Sequence, residues 1–193
     1  MTDPTPVRGL LLAAGEGRRM GMPKALARED DGTSWLHRSL AALRDGGCAE
    51  VTVVLGAGAA EARTLLDEAQ LDGSVDVVIA GDWAEGMGAS LRTGLDSLPA
   101  AAACLVSLVD LPDVGPDVVR RVLAAATGPQ VLARAAYSGE PGHPVLLGRD
   151  HWAAVAESAT GDRGARDYLA AHDVTLVECG DLATGVDRDS AAR

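Results

Sequence analysis

From Leu10 to Leu26 the chain reads LLLAAGEGRRMGMPKAL. Small residues at Ala13, Ala14, Gly15 and Gly17 let backbone N–H groups approach a ligand closely. A concave run of such amides holds phosphate oxygens. Arg18, Arg19 and Lys24 add three full positive charges within one loop. An arginine can fork onto two phosphate oxygens, and a lysine acts as a point charge. The chemistry on offer is the grip of a polyphosphate; the plainer alternative is a tight turn with solvated basic residues. The segment is not a Walker A loop, since Gly-Lys-Ser/Thr is missing. Nor is it the dinucleotide fingerprint, because the third glycine, Gly21, falls one place late.

A second group of residues with chemistry is SLVDLPDV, Ser107 to Val114. Asp110 ends an apolar run, and Pro112 stops the chain from continuing it. A carboxylate there faces the crevice beyond the strand end, where magnesium would find a hard oxygen ligand. The alternative for Asp110 is a helix cap or loop carboxylate. Asp187, in TGVDRD, is the candidate partner ligand from the far end of the chain, against a plain solvated acid. A decoy lies in VVLGAGAAEA, where Gly56 and Gly58 end a strand. Glu61 stands where the third glycine of a dinucleotide loop belongs, and its charge would repel a pyrophosphate.

These segments need elements to hold them. Val7–Ala14, Val51–Leu55, Val75–Ala80, Cys104–Val109, Val131–Ala135, Pro144–Leu147 and Val174–Glu178 read as strands. Between them, Ser34–Arg44, Glu61–Gln70, Met87–Leu98, the stretch after Pro116, and segments around Trp152 and Tyr168 read as helices. Leu36, Leu40 and Leu43 share one face of the first helix; Leu65, Leu66 and Ala69 are expected inward on the second. Alternation of this kind implies a three-layer α/β/α, doubly wound, mostly parallel sheet, Rossmann-like, in one domain over residues 1–193. Ligands then sit beyond the carboxyl ends of the strands, where the two candidate segments fall. The polar tail after Asp187 is expected to be disordered.

The hydrophobic fraction of 47% suffices for a core, which must be built from Ala, Val and Leu because Phe is absent. A net charge of −11 argues against nucleic acid and anionic lipid as partners. No apolar stretch is long enough for a membrane span, and Met1–Arg8 lacks the layout of a secretory signal. Cys48, Cys104 and Cys179 form no Cys-x-x-Cys pair and read as buried free thiols of a cytoplasmic protein.

At these residues the chain resembles the MobA-like nucleotidyltransferase family, and within it the MocA-like molybdenum cofactor cytidylyltransferases. Leu12 to Leu26 fits the pattern LAAGxSxRMGxPKxL with Gly17 in place of the serine. The likeness continues at GDWAEGMGASLRTGL (Gly81–Leu95), VDLPDV, GEPGHPVLLGR (Gly139–Arg149) and GDRGARDYL (Gly161–Leu169). The resemblance implies a nucleotide site of Leu12, Ala13, Ala14, Gly15, Gly17, Arg19, Lys24, Asp82, Gly88 and Ser90. It implies catalytic roles for Lys24, Arg19 and Asp110, with Mg2+ on Asp110 and Asp187. Gly142, His143, Pro144, Asp162, Arg163 and Gly164 would face the acceptor. The branch usually closes with an Asp-Thr-Pro-Glu-Asp-like segment, whereas Asp187 is followed here by Arg188 and Asp189.

The activity implied is transfer of CMP from CTP to the phosphate of molybdopterin, with a molybdoenzyme as the eventual recipient of the cofactor. LAAG, where the guanine-selecting branch has LAGG, favours CTP. Three alternatives stand beside it: a sugar or polyol phosphate as acceptor, a degenerate binding module, and an oxidoreductase using Gly56 and Gly58. Trp83 reads as a packing residue, and His37, His151 and His172 as surface or packing residues.

Overall fold

The computed structural model describes residues 7–69 and 74–188. The polar start of the chain up to residue 6, Gln70 and the tail from residue 189 lie outside the described residues. Seven strands form one sheet: β1 (Val7–Ala13), β2 (Val51–Leu55), β3 (Val75–Ile79), β4 (Ala103–Leu108), β5 (Leu132–Tyr137), β6 (Glu140–Gly148) and β7 (Thr175–Glu178), in the order β3-β2-β1-β4-β6-β5-β7. Strands β3, β2, β1 and β4 pair in parallel, as do β5 and β7. Strand β6 runs antiparallel to both of its neighbours, β4 and β5.

The alternation of side chains along the central strands divides the core in two. Leu11 and Ala13 of β1, with Leu105 of β4 and Leu146 of β6, face one layer of helices. That layer is α1 (Trp35–Asp45), α2 (Ala59–Glu68) and α4 (Pro116–Leu123). Leu10 and Leu12 of β1, with Val106 of β4 and Leu147 of β6, face the other. There α3 (Met87–Ser97), α5 (Trp152–Ser158) and α6 (Arg166–Ala170) cover the sheet. The three-layer architecture expected from the alternating pattern is the one observed.

Local chemistry explains the helix ends. Ser34 caps α1, its hydroxyl accepting from the His37 N–H at 3.4 Å, and Leu36, Leu40 and Leu43 are buried as the spacing requires. Pro116 opens α4, where a missing N–H costs nothing. In α2 the inward residues are Ala62 and Leu66; Leu65 is half-buried and Ala69 is exposed. The expected inward position of Ala69 is wrong because the helix ends one residue before it. The three cysteines are buried free thiols, and burial pushes Cys48 up to about 12.

Strand β6 is longer than the expected Pro144–Leu147, and the extra length matters. Only Val145–Gly148 pairs with β4. Glu140–Pro144 is paired with β5 alone, across a register shift between Arg134 and Ala136, and its first residues run on past the carboxyl end of β4. Pro141 and Pro144 fall in the stretch that β4 leaves unpaired, an edge-like position of the kind that tolerates proline. The β5–β6 hairpin closes on Ser138 and Gly139, both with positive φ, the backbone of a tight hairpin turn. One antiparallel strand thus carries residues over the crevice that the parallel strands open.

Leu105 lies in β4 between β1 and β6 with no solvent exposure. Leu105→Ala is expected to cost about 2–5 kcal/mol of stability, read as a lower urea midpoint with an unchanged slope.

Candidate functional site

Strands β1 and β4 end side by side, with Leu12 in register with Leu108. The glycine-rich loop therefore leaves the sheet next to Val109 and Asp110. The loop folds back on itself: Gly17 O accepts from the N–H groups of Met20 and Gly21 at 2.8 and 2.9 Å, and Lys24 N donates to Gly15 O at 3.0 Å. Gly17 takes φ +63°, and a Cβ there would strike the Met22 carbonyl, so the fold-back needs glycine. The return brings the Lys24 ammonium onto the carboxylate of Asp110, with which it forms an ion pair. Asp110 is only 6% exposed. One of its oxygens, Oδ2, takes the lysine; the other, Oδ1, is buried with no hydrogen-bond partner. An unpaired buried carboxylate oxygen is costly, and such an oxygen is often reserved for a ligand or ion.

Around this pair opens a cavity of about 520 Å3, within the range that small-molecule sites occupy. Leu12, Ala14, Gly15, Gly17, Arg19 and Lys24 form one wall. Trp83 to Met87 and Ser90 form the opposite wall, and Asp110, Asp162 and Asp187 complete it. A second cavity of about 290 Å3 adjoins it under the β5–β6 hairpin. Leu12, Met87, Leu108, Asp162 and Asp187 line both, so the two are halves of one crevice.

Residues 9–176 match the MobA-like NTP transferase domain. The chain belongs to the MobA-like NTP transferase family. It is 36% identical to a protein of Paenarthrobacter nicotinovorans named nicotine blue oxidoreductase, over 98% of this chain and 95% of that one. It is 37% identical to the probable molybdenum cofactor guanylyltransferase of Rhodopirellula baltica, over 59% of this chain and 53% of that one. Among solved structures, Rv0371c of Mycobacterium tuberculosis H37Rv in complex with manganese superposes with a TM-score of 0.75 at 27% identity, covering 96% of this chain and 95% of that one.

In this MobA-like fold the structure places most of the sequence-predicted residues together, and some elsewhere. Leu12, Ala14, Gly15, Gly17, Arg19, Lys24, Ser90, Asp110 and Asp187 line the larger cavity. Ala13 does not; its side chain is buried in the opposite core layer, one residue out of phase with Leu12 and Ala14. Asp82 is not in the lining either, and pairs with Arg92 at 3.2 Å. Gly88 is taken up by packing, since a Cβ there would lie 2.7 Å from the Thr160 backbone. Gly142, His143, Asp162 and Arg163 line the smaller cavity, whereas Pro144 and Gly164 do not. Gly56 and Gly58 line neither cavity. A Cβ on Gly56 would meet Trp83 at 2.7 Å, so that glycine serves a close packing contact. Trp83 both packs there and walls the larger cavity.

Two residues of the smaller cavity, Arg134 and Arg166, escaped the sequence reading. Arg134 carried a signal: a charged residue inside the apolar run VLARAAY. Arg188, the residue after Asp187, has defined contacts, while the rest of the tail lies outside the described residues. The Arg188 N–H donates to Asp110 O at 2.8 Å, and its guanidinium pairs with Glu29 and lies 5.9 Å from the Trp35 ring centroid. These contacts hold Asp187 at the crevice despite the departure from the branch's closing pattern.

The donor set fits a divalent cation. Asp110 offers an unpartnered oxygen, Asp187 lines the same cavity, and both are hard ligands. Among the described residues no group of three or more His, Cys, Asp or Glu could hold a metal by themselves. The remaining ligands would be phosphate oxygens and water, as magnesium sites commonly have.

His143 is the titratable group whose environment is most telling. Burial, reinforced by the charges of Arg134 and Arg166, lowers its pKa from 6.5 to about 4. Its carbonyl accepts from the Tyr137 hydroxyl at 2.6 Å. The unfolded chain therefore binds a proton at this site between pH 6.5 and 4 that the folded chain refuses. The stability contribution is present above pH 6.5 and is lost as pH falls towards 4. Thermal melts across that window should show a falling midpoint for the wild type and a flatter profile for His143→Gln.

Proposed function

We propose that this MobA-like nucleotidyltransferase transfers CMP from CTP to the terminal phosphate of molybdopterin and releases pyrophosphate. The observation that carries the reading is the loop Gly15–Lys24, folded back so that its lysine meets a buried aspartate with one oxygen unclaimed. Amides, cations and a carboxylate ligand thus converge at one wall of a cavity sized for a nucleotide. Ala14, in place of the glycine of guanine-selecting relatives, supports CTP. The relative named probable molybdenum cofactor guanylyltransferase supports molybdopterin as acceptor.

In the proposed reaction, an oxygen of the acceptor phosphate attacks the α-phosphorus of CTP in line. The bond between the α-phosphorus and the bridging oxygen to the β-phosphorus breaks, and pyrophosphate leaves with that oxygen. The nucleophile is already anionic near neutral pH, so no general base is required. Lys24, Arg19 and the loop amides neutralise the departing pyrophosphate. The walls formed by Leu12, Ala14 and Ser90 fix the nucleotide, and positioning supplies the remainder of the rate. A magnesium ion held by Asp110 and Asp187 would supply Lewis-acid polarisation of the reacting phosphate.

Lys24→Ala is expected to lower turnover by on the order of 10²–10³, by analogy with loss of one preorganised donor. Because it also strips Asp110 of its lysine, stability should fall with it. The double variant Lys24→Met/Asp110→Asn should regain stability but not activity. Full turnover in Lys24→Ala at saturating CTP and magnesium would refute the assignment. Thermal stabilisation by each nucleoside triphosphate with magnesium tests the base: CTP should shift the melt more than GTP.

A second reading is favoured by the full-length likeness to a protein named nicotine blue oxidoreductase. On it, the same crevice would serve a redox reaction of an organic substrate. It predicts oxidation of NADH or NADPH, or stabilisation by either, together with indifference to CTP. The packed state of Gly56 and Gly58 speaks against a dinucleotide loop at that strand end.

A further inference from the structure

The smaller cavity has three arginines in its lining, Arg134, Arg163 and Arg166. Arg134 rises from β5, two strands beyond the one that carries Asp110. Its Nε and Nη2 both donate to Gly142 O at 3.0 Å, so the guanidinium is held by a neutral carbonyl rather than by an acid. Arg166, at the start of α6, lines the same cavity and has no ion-pair partner among the described residues. The third arginine of the lining, Arg163, is already paired with Asp167 at 2.5 Å. Two arginines facing one small space repel each other, and burial, with the charge of Arg166 added, lowers the pKa of Arg134. His143 lines the same cavity and, with its pKa lowered by burial, adds no further positive charge. Asp162 and Asp187 also line this cavity, but both belong equally to the border with the larger one. Leu91, Val106, Leu147 and Leu169 make the rest of the wall apolar.

We infer that Arg134 and Arg166 form an anion clamp that selects an acceptor bearing a second negatively charged group, apart from the phosphate that reacts, on a body flat or apolar enough for the leucine and valine wall. This rests on the reading of the crevice as a nucleotidyltransferase site. It separates the acceptors, because a polyol monophosphate offers the far wall only hydroxyls. Two arginines left facing an empty apolar wall would gain nothing from such a ligand, whereas a second anion would be met by charge-assisted hydrogen bonds.

The test uses the whole chain saturated with magnesium and a non-transferable CTP analogue, so that the phosphate-gripping loop is filled. Inorganic phosphate is then titrated calorimetrically into wild type, Arg134→Gln and Arg166→Gln. Each variant should bind phosphate on the order of tenfold more weakly, with analogue affinity and melting temperature unchanged. Equal phosphate affinity in all three proteins, or none in the wild type, overturns the clamp. In turnover with molybdopterin, the variants should raise the acceptor KM about tenfold and leave kcat within a factor of three. A matching fall in kcat would place the arginines on the reacting phosphate and overturn the inference of a second anion. If the analogue does not bind, or the wild type transfers to no acceptor, the proposed function fails. The comparison of phosphate affinities then still decides the clamp, since the loop contributes equally to all three proteins.

Discussion

The whole crevice depends on one contact, the ion pair between Lys24 and Asp110. It joins the end of a loop that leaves β1 to the end of β4, the next strand across. Without that pair, the loop would have backbone turns but no fixed wall, and Asp110 would be a buried charge without a cation. With it, the loop is closed at both ends, by Gly15 O at the backbone and by the carboxylate at the side chain. A buried pair of this kind contributes little net stability, because desolvation offsets attraction. What it supplies is registration: two segments 86 residues apart are set against each other beside one cavity. The Arg188 N–H on Asp110 O adds the segment that carries Asp187 to the same anchor.

The sheet explains why so much of this was readable from residue types. β1 and β4 are buried on both faces, so they appear as largely apolar runs, interrupted by Arg8 and Gly9 in the one and Ser107 in the other. Asp110 stands just past the end of β4, and the loop that returns Lys24 to it leaves the end of β1, where parallel strands must open a crevice. Ala13 shows the limit of the same logic. A strand alternates, and a motif written as consecutive letters does not say which of them turn to the ligand. Gly88 shows another limit, since the Thr160 backbone comes from a position that only the tertiary fold brings near, while Asp82 is taken up by Arg92 of its own motif.

The smaller cavity was harder to foresee for a topological reason. Local patterning marks a strand but not its direction, and β6 reaches the crevice only because it runs against its neighbours. Arg134 and Arg166 meet there from β5 and α6, which no short motif connects. The contacts of Arg188 with Glu29 and Trp35 likewise cross most of the chain, so a polar tail read by composition alone looked unattached. These are long-range pairings, and their signal in the sequence is at most one charged residue in an apolar run.

The overhang of β6 past β4 has an evolutionary consequence. The glycine-rich loop Gly15–Lys24 and the β5–β6 hairpin stand on opposite sides of β4 and are built from separate stretches of chain. Changes confined to distant, non-touching sites combine nearly independently. Drift in the hairpin can therefore reshape the smaller cavity while the loop beside the larger one stays intact. Lineages sharing this scaffold can diverge in trade without rebuilding their engine.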